Sequence, residues 1–93
     1  MIVSFDSKDT EKIWFGERVA KLPLDVQVVG RRSLRMLNNS HNLADLSIPP
    51  LNRLEKLSVN RKDFYSILIN IQWRIVFKWQ DGNALQVSII DYH

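Results

Sequence analysis

Two hydrophobic rhythms divide the chain. Up to about residue 40, apolar positions recur at intervals of three and four; from Arg53 onward they alternate. The first rhythm predicts helices and the second strands. Ile-Val-Ser-Phe at 2–5 reads as a short opening strand. Asp6 or Ser7 then caps a helix from Lys8, with Asp9 and Glu11 in its first turn. It runs to about Gly16, and Val19, Ala20 and Leu22 can extend it. A second helix is expected from Pro23–Asp25 to Asn38–Ser40. Val26, Val29, Gly30, Ser33, Leu34 and Leu37 share its apolar face, and Arg31, Arg32 and Arg35 the other. Gly30 costs about 1 kcal/mol against alanine, which suits a close packing of two helices.

Pro49-Pro50 marks residues 40–52 as a loop, with one short turn near Leu43–Leu46. Arg53–Leu57 reads as a short strand and Asn60–Asp63 as a turn. In the next strand Tyr65, Ile67 and Ile69 share a side. Trp73, Ile75, Phe77 and Trp79 then alternate with Arg74, Val76 and Lys78. Asp81-Gly82 is a hairpin turn. Leu85, Val87 and Ile89 form the expected inward row of the last strand. The order predicts a single α+β domain: a twisted, mainly antiparallel sheet of four to five strands, with two N-terminal helices on one face.

Composition narrows the chemistry. The 93 residues contain no cysteine and only two histidines, His41 and His93, which excludes disulfide, Cys-zinc and thiol-nucleophile classes. No apolar run is long enough for a membrane span, and the N-terminus lacks the pattern of a signal peptide. The expectation is a cytoplasmic protein with no membrane partner. Net charge is only +3, but unevenly placed. Residues 26–44 carry three arginines and no acid, and residues 53–62 four cations and one acid, Glu55. Such clustering fits an anionic partner such as RNA; a solvated basic face is the plainer alternative.

The second half reads Asn52-Arg53-Leu54-Glu55-Lys56-Leu57, Arg61-Lys62, Tyr65-Ser66-Ile67, Asn70, Trp73-Arg74-Ile75-Val76-Phe77 and Asp91-Tyr92-His93. With Phe5, Glu11-Lys12-Ile13 and Leu34-Arg35-Met36-Leu37, these segments resemble the HigB group of the RelE/ParE toxins of type II toxin–antitoxin modules, the plasmid maintenance killer proteins. The resemblance covers almost the whole chain. It implies a microbial-ribonuclease-like fold and a metal-free, cofactor-free endoribonuclease that cuts mRNA, usually in the ribosomal A site. It also implies a HigA-like helix-turn-helix antitoxin, through which the toxin meets operator DNA.

Metal-free RNA cleavage uses the ribose 2′-hydroxyl as nucleophile. It requires a proton acceptor, a donor to the leaving 5′-oxygen and cations around the phosphorane. An unperturbed histidine titrates near neutrality, which makes His93 the proton-transfer candidate; a terminal histidine with no role is the plainer alternative. Tyr92 can stack on a base or donate to phosphate; as an edge aromatic it would only pack. Asp91 can orient His93 or Arg74, or be a strand-end charge. Arg74, on an apolar strand, suits phosphate clamping; otherwise it is a solvent-facing strand arginine. Arg61 and Lys62, with Arg53 and Lys56, are candidates for the RNA backbone. Arg31, Arg32 and Arg35 can meet ribosomal RNA or the antitoxin, though a solvated face is the simpler reading. Trp14, Trp73 and Trp79 are expected in the core or partly buried against it, and His41 carries no assigned role.

Several positions depart from the family pattern. Ser58 stands where lysine is common, Val59 and Asp63 where glycine is, and Leu68 where a strand arginine is frequent. Some relatives have histidine in place of Glu55. Fewer cations in the cleft imply a weakened or more ribosome-dependent nuclease. The alternative is an inactive toxin-fold partner that binds antitoxin as co-repressor. A gyrase-poisoning relative is a third reading, opposed by the Asp-Tyr-His ending.

Overall fold

The computed structural model describes residues 1–48, 52–57 and 62–91. Helix α1 (Lys8–Trp14) begins where the Ser7 side chain accepts the Thr10 N–H. It stops at Trp14 rather than continuing toward Leu22, because Gly16 turns the chain at φ 85°. Helix α2 (Leu24–Asn39) buries Val26, Gln27, Gly30, Ser33, Leu34 and Leu37. Arg31, Arg32 and Arg35 stay exposed, as the wheel predicts. The expected turn in the loop is a short helix, α3 (Leu43–Ser47), closed by a capping box between Asn42 and Asp45.

Strands β1 (Glu55–Lys56), β2 (Phe64–Leu68), β3 (Trp73–Gln80) and β4 (Asn83–Asp91) form an antiparallel meander in the order β1-β2-β3-β4. This is the α+β class expected from the two rhythms. The first helix pair and the sheet enclose Ile13, Val26, Leu34, Leu37, Ile67, Ile75, Phe77, Val87 and Ile89. Trp14, Trp73 and Trp79 pack against that core, half-buried.

Five local expectations are corrected. The opening strand reduces to two isolated parallel bridges, Ile2 to Ala84 and Phe5 to Val87, along the outer edge of β4. Arg53 adopts φ 44°, which breaks extended geometry and shortens the predicted strand to β1. Gly30 faces the sheet rather than a helix: a Cβ there would lie 3.2 Å from Ile89 Cδ1 and 3.5 Å from Ile69 Cδ1. Val29 is only half-buried and Gln27 takes a buried place. Leu85 does not point inward. A bulge opposite Phe77, with Gln86 at φ 52°, shifts the register, so Ala84, Val87 and Ile89 are the buried row.

The bulge is held by the N-terminal segment. Ser4 Oγ accepts the Gln86 N–H at 2.9 Å, and the Val87 N–H donates to the Ser4 carbonyl at 3.1 Å. The turn at Asp81-Gly82 has φ 53° and 78°, the geometry of a tight I′ hairpin.

Candidate functional site

Strand β3 alternates between the two faces of the sheet. Ile75 and Phe77 enter the helix-side core, which places Arg74, Val76 and Lys78 on the opposite face. Arg74 is 5% exposed, so it is not the solvent-facing arginine of the plainer reading. A buried guanidinium needs compensating acceptors. Its Nη1 donates to Glu55 Oε2 at 2.9 Å, and its Nη2 donates to the Arg53 carbonyl at 3.3 Å. The side chain therefore spans β2 diagonally, from β3 to β1. The Arg74 guanidinium, by hydrogen bond and charge, holds the Glu55 carboxyl below its usual range; Arg53 adds to this and desolvation opposes it.

Among the described residues this face assembles Arg53, Glu55 and Arg74 at one end. Lys62 is exposed in the turn before β2. Phe64 pairs with Lys78 and Leu68 with Arg74, so Lys62 lies toward the far end of β2 from Arg74, at least about 13 Å along the strand. Lys56 pairs with Tyr65 and has the parity of the helix-side face, at the exposed sheet edge. Asp91 pairs with Trp73, whereas Ile90 pairs with Arg74, so Asp91 has Trp73's parity; its Oδ2 accepts from Gln72 Nε2 at 3.1 Å. His93, Tyr92 and Arg61, with Ser58 and Val59, lie outside the described residues. Among the described residues no three His, Cys, Asp or Glu side chains cluster to hold a metal, and no helix is long and apolar enough to cross a membrane.

Two participants were not legible beforehand. Glu55 reads as a variable charge in a basic stretch until the β1–β2 register sets it on Arg74's face. Ser66 reads as an ordinary strand serine, yet it lies between these partners, paired with both Glu55 and Val76. Leu68 is Arg74's direct cross-strand neighbour. An arginine at that position would set a second guanidinium beside the first.

A small α+β chain with helices on one face of a meander, and a buried arginine on the other, defines a class that comparison makes specific. A family model described as the RelE-like toxin of type II toxin–antitoxin system HigB matches residues 4–93. The chain is 35% identical to Toxin HigB-1 of Vibrio cholerae serotype O1, covering 100% of this chain and 98% of the relative. It is also 34% identical to an uncharacterized protein of Haemophilus influenzae, over 85% of this chain and 77% of that one. The chain belongs to the HigB-like toxins of type II toxin–antitoxin systems.

Proposed function

We propose that this toxin is a metal-independent, ribosome-dependent endoribonuclease that inhibits translation by cutting mRNA. The observation that supports this most is Arg74, a buried guanidinium on a central strand. Rigid packing of its stem suits it to meet a scissile phosphate at a fixed place. The ribose 2′-oxygen attacks phosphorus and the P–O5′ bond breaks. One proton leaves the 2′-hydroxyl and one arrives on the 5′-oxygen. His93, with Asp91 and Tyr92 beside it in sequence, is assigned to this proton traffic. Arg53, Arg61 and Lys62, and Lys56 at the sheet edge, are assigned to the RNA backbone.

A type II toxin has an antitoxin partner; we assign it the helix-turn-helix kind, with operator DNA reached only through it. A second reading, a weakened toxin working mainly as an antitoxin-bound co-repressor, draws support from two features. Leu68 stands beside Arg74 where a cation is common, and Glu55 neutralises the guanidinium.

The test is induced expression without an antitoxin gene, with mRNA 5′ ends mapped minutes after induction. Cuts within translated codons in wild type, absent with His93→Ala and Arg74→Ala, are expected. Unchanged mRNA with folded, soluble protein would favour the co-repressor reading.

A further inference from the structure

Ser66 has no part in the scheme above, yet its surroundings are unusual. Strand pairing sets it opposite Glu55 and beside Val76, on the face that carries Arg74. It is 0% exposed, and its hydroxyl has no hydrogen-bond partner among the described residues. Buried hydroxyls are nearly always paired, so an orphan points to a second state in which it is satisfied. The Arg74–Glu55 bridge crosses β2 next to this hydroxyl.

A phosphate that takes the Nη1 donor of Arg74 competes with Glu55 for it, since Glu55 Oε2 accepts from that nitrogen and the two anions repel each other. The Glu55 side chain is 55% exposed, so solvent rather than packing surrounds it on one side and leaves space for another rotamer. Directly opposed residues keep their Cβ atoms about 5 Å apart, which puts the Ser66 O–H within reach of a reoriented carboxylate.

We infer that Ser66 is a positioning residue: its hydroxyl donates to the Glu55 carboxylate once an RNA phosphate occupies Arg74. This rests on the reading of Arg74 as the phosphate clamp. The resting state leaves one buried hydroxyl unsatisfied and the engaged state satisfies it. The serine thereby offsets part of the loss when the ion pair opens. No covalent bond changes and no proton leaves either group.

The test has an arm that needs no RNA. Arg74→Met removes the competing cation, so the carboxylate takes the displaced position. The Glu55 titration is then followed by NMR with and without Ser66→Ala. With Arg53 unchanged in both, the Glu55 pKa is expected to stand about half a unit higher in the double variant. With Arg74 present, Ser66→Ala should leave it where it is. Equal titrations in the two Arg74→Met proteins would overturn the inference. Should Arg74→Met not fold, two other measurements decide. Ser66→Ala alone should melt no lower than wild type, since it deletes an orphan; a fall of more than about 5 °C would show the hydroxyl already bonded and overturn the inference.

The second measurement is affinity for an RNA with deoxyribose at the cleavage position. It should weaken about five- to tenfold in Ser66→Ala, and not in Ser66→Ala made on Glu55→Gln. A loss of the same size in both backgrounds would also overturn the inference. If wild type engages the RNA neither free nor presented on ribosomes while the titrations differ as expected, the clamp reading fails and the Ser66–Glu55 contact stands.

Discussion

Arg74 on β3 and Glu55 on β1 meet at 2.9 Å across the intervening strand, the arginine buried and the glutamate half in solvent. Because Arg74 lowers the Glu55 pKa, the pair contributes stability above the unfolded carboxylate value near 4.5, and that contribution disappears as pH falls through the lower folded value. Solvent screening keeps the effect below about 1 kcal/mol. Wild type should therefore lose more stability than Glu55→Gln as pH falls from 6 through the acid range, a difference that pH-dependent melting reads. At neutral pH Glu55→Gln should bind RNA more tightly, since it removes an anion from the clamp.

Leu68→Arg should place a cation beside Arg74. RNA cleavage is expected to rise by about tenfold or more. Two like charges facing across a strand pair, and lost apolar burial, should cost about 1 kcal/mol. Cleavage of a defined transcript in a translation extract, with melting of the same samples, checks both. No gain in cleavage would remove the missing-cation account of weak activity.

Gln27 should be among the costlier polar positions to replace. Its amide accepts the Val19 N–H at 2.9 Å and donates to the carbonyls of Val19 at 2.6 Å and Leu22 at 2.7 Å. It thus pins the connection between α1 and α2. Gln27→Leu leaves buried backbone groups unpaired and should cost about 2 kcal/mol, a drop of about 10 °C in Tm.

At Gly30 the consequence depends on size. Gly30→Ala gains up to about 1 kcal/mol of helix propensity, against crowding of two flexible isoleucine ends. The net change should stay within about 1 kcal/mol. Gly30→Leu cannot be accommodated and should cost about 2–3 kcal/mol. Chemical denaturation distinguishes the two.

Asp63 occupies the left-handed region at φ 66°, a conformation that glycine adopts without steric cost. Aspartate tolerates that conformation better than most residues. Asp63→Ala should cost about 1 kcal/mol, and Asp63→Gly should leave stability within about 0.5 kcal/mol of wild type. Melting temperatures check both.

The sequence by itself determined the two helices, the meander and the split of β3 into an apolar and a polar side, because periods of 3.6 and 2 are local properties of the backbone. It also contained the resemblance that names the family. Arg74 was legible as a charge flanked by Trp73 and Ile75 in a largely apolar strand. Its burial was not, nor its partner, since both depend on which residue of a distant strand lies across from it. Tertiary structure alone decided that register. A bulge at Gln86 exchanged Leu85 for Ala84 in the core, and a left-handed Arg53 cut β1 short and left its carbonyl to the guanidinium. The same register set Glu55 over Ser66 and Leu68 beside Arg74. Pairing over 19 residues of chain, as between Glu55 and Arg74, leaves no periodic trace in either segment. Only the packed sheet brings those groups together.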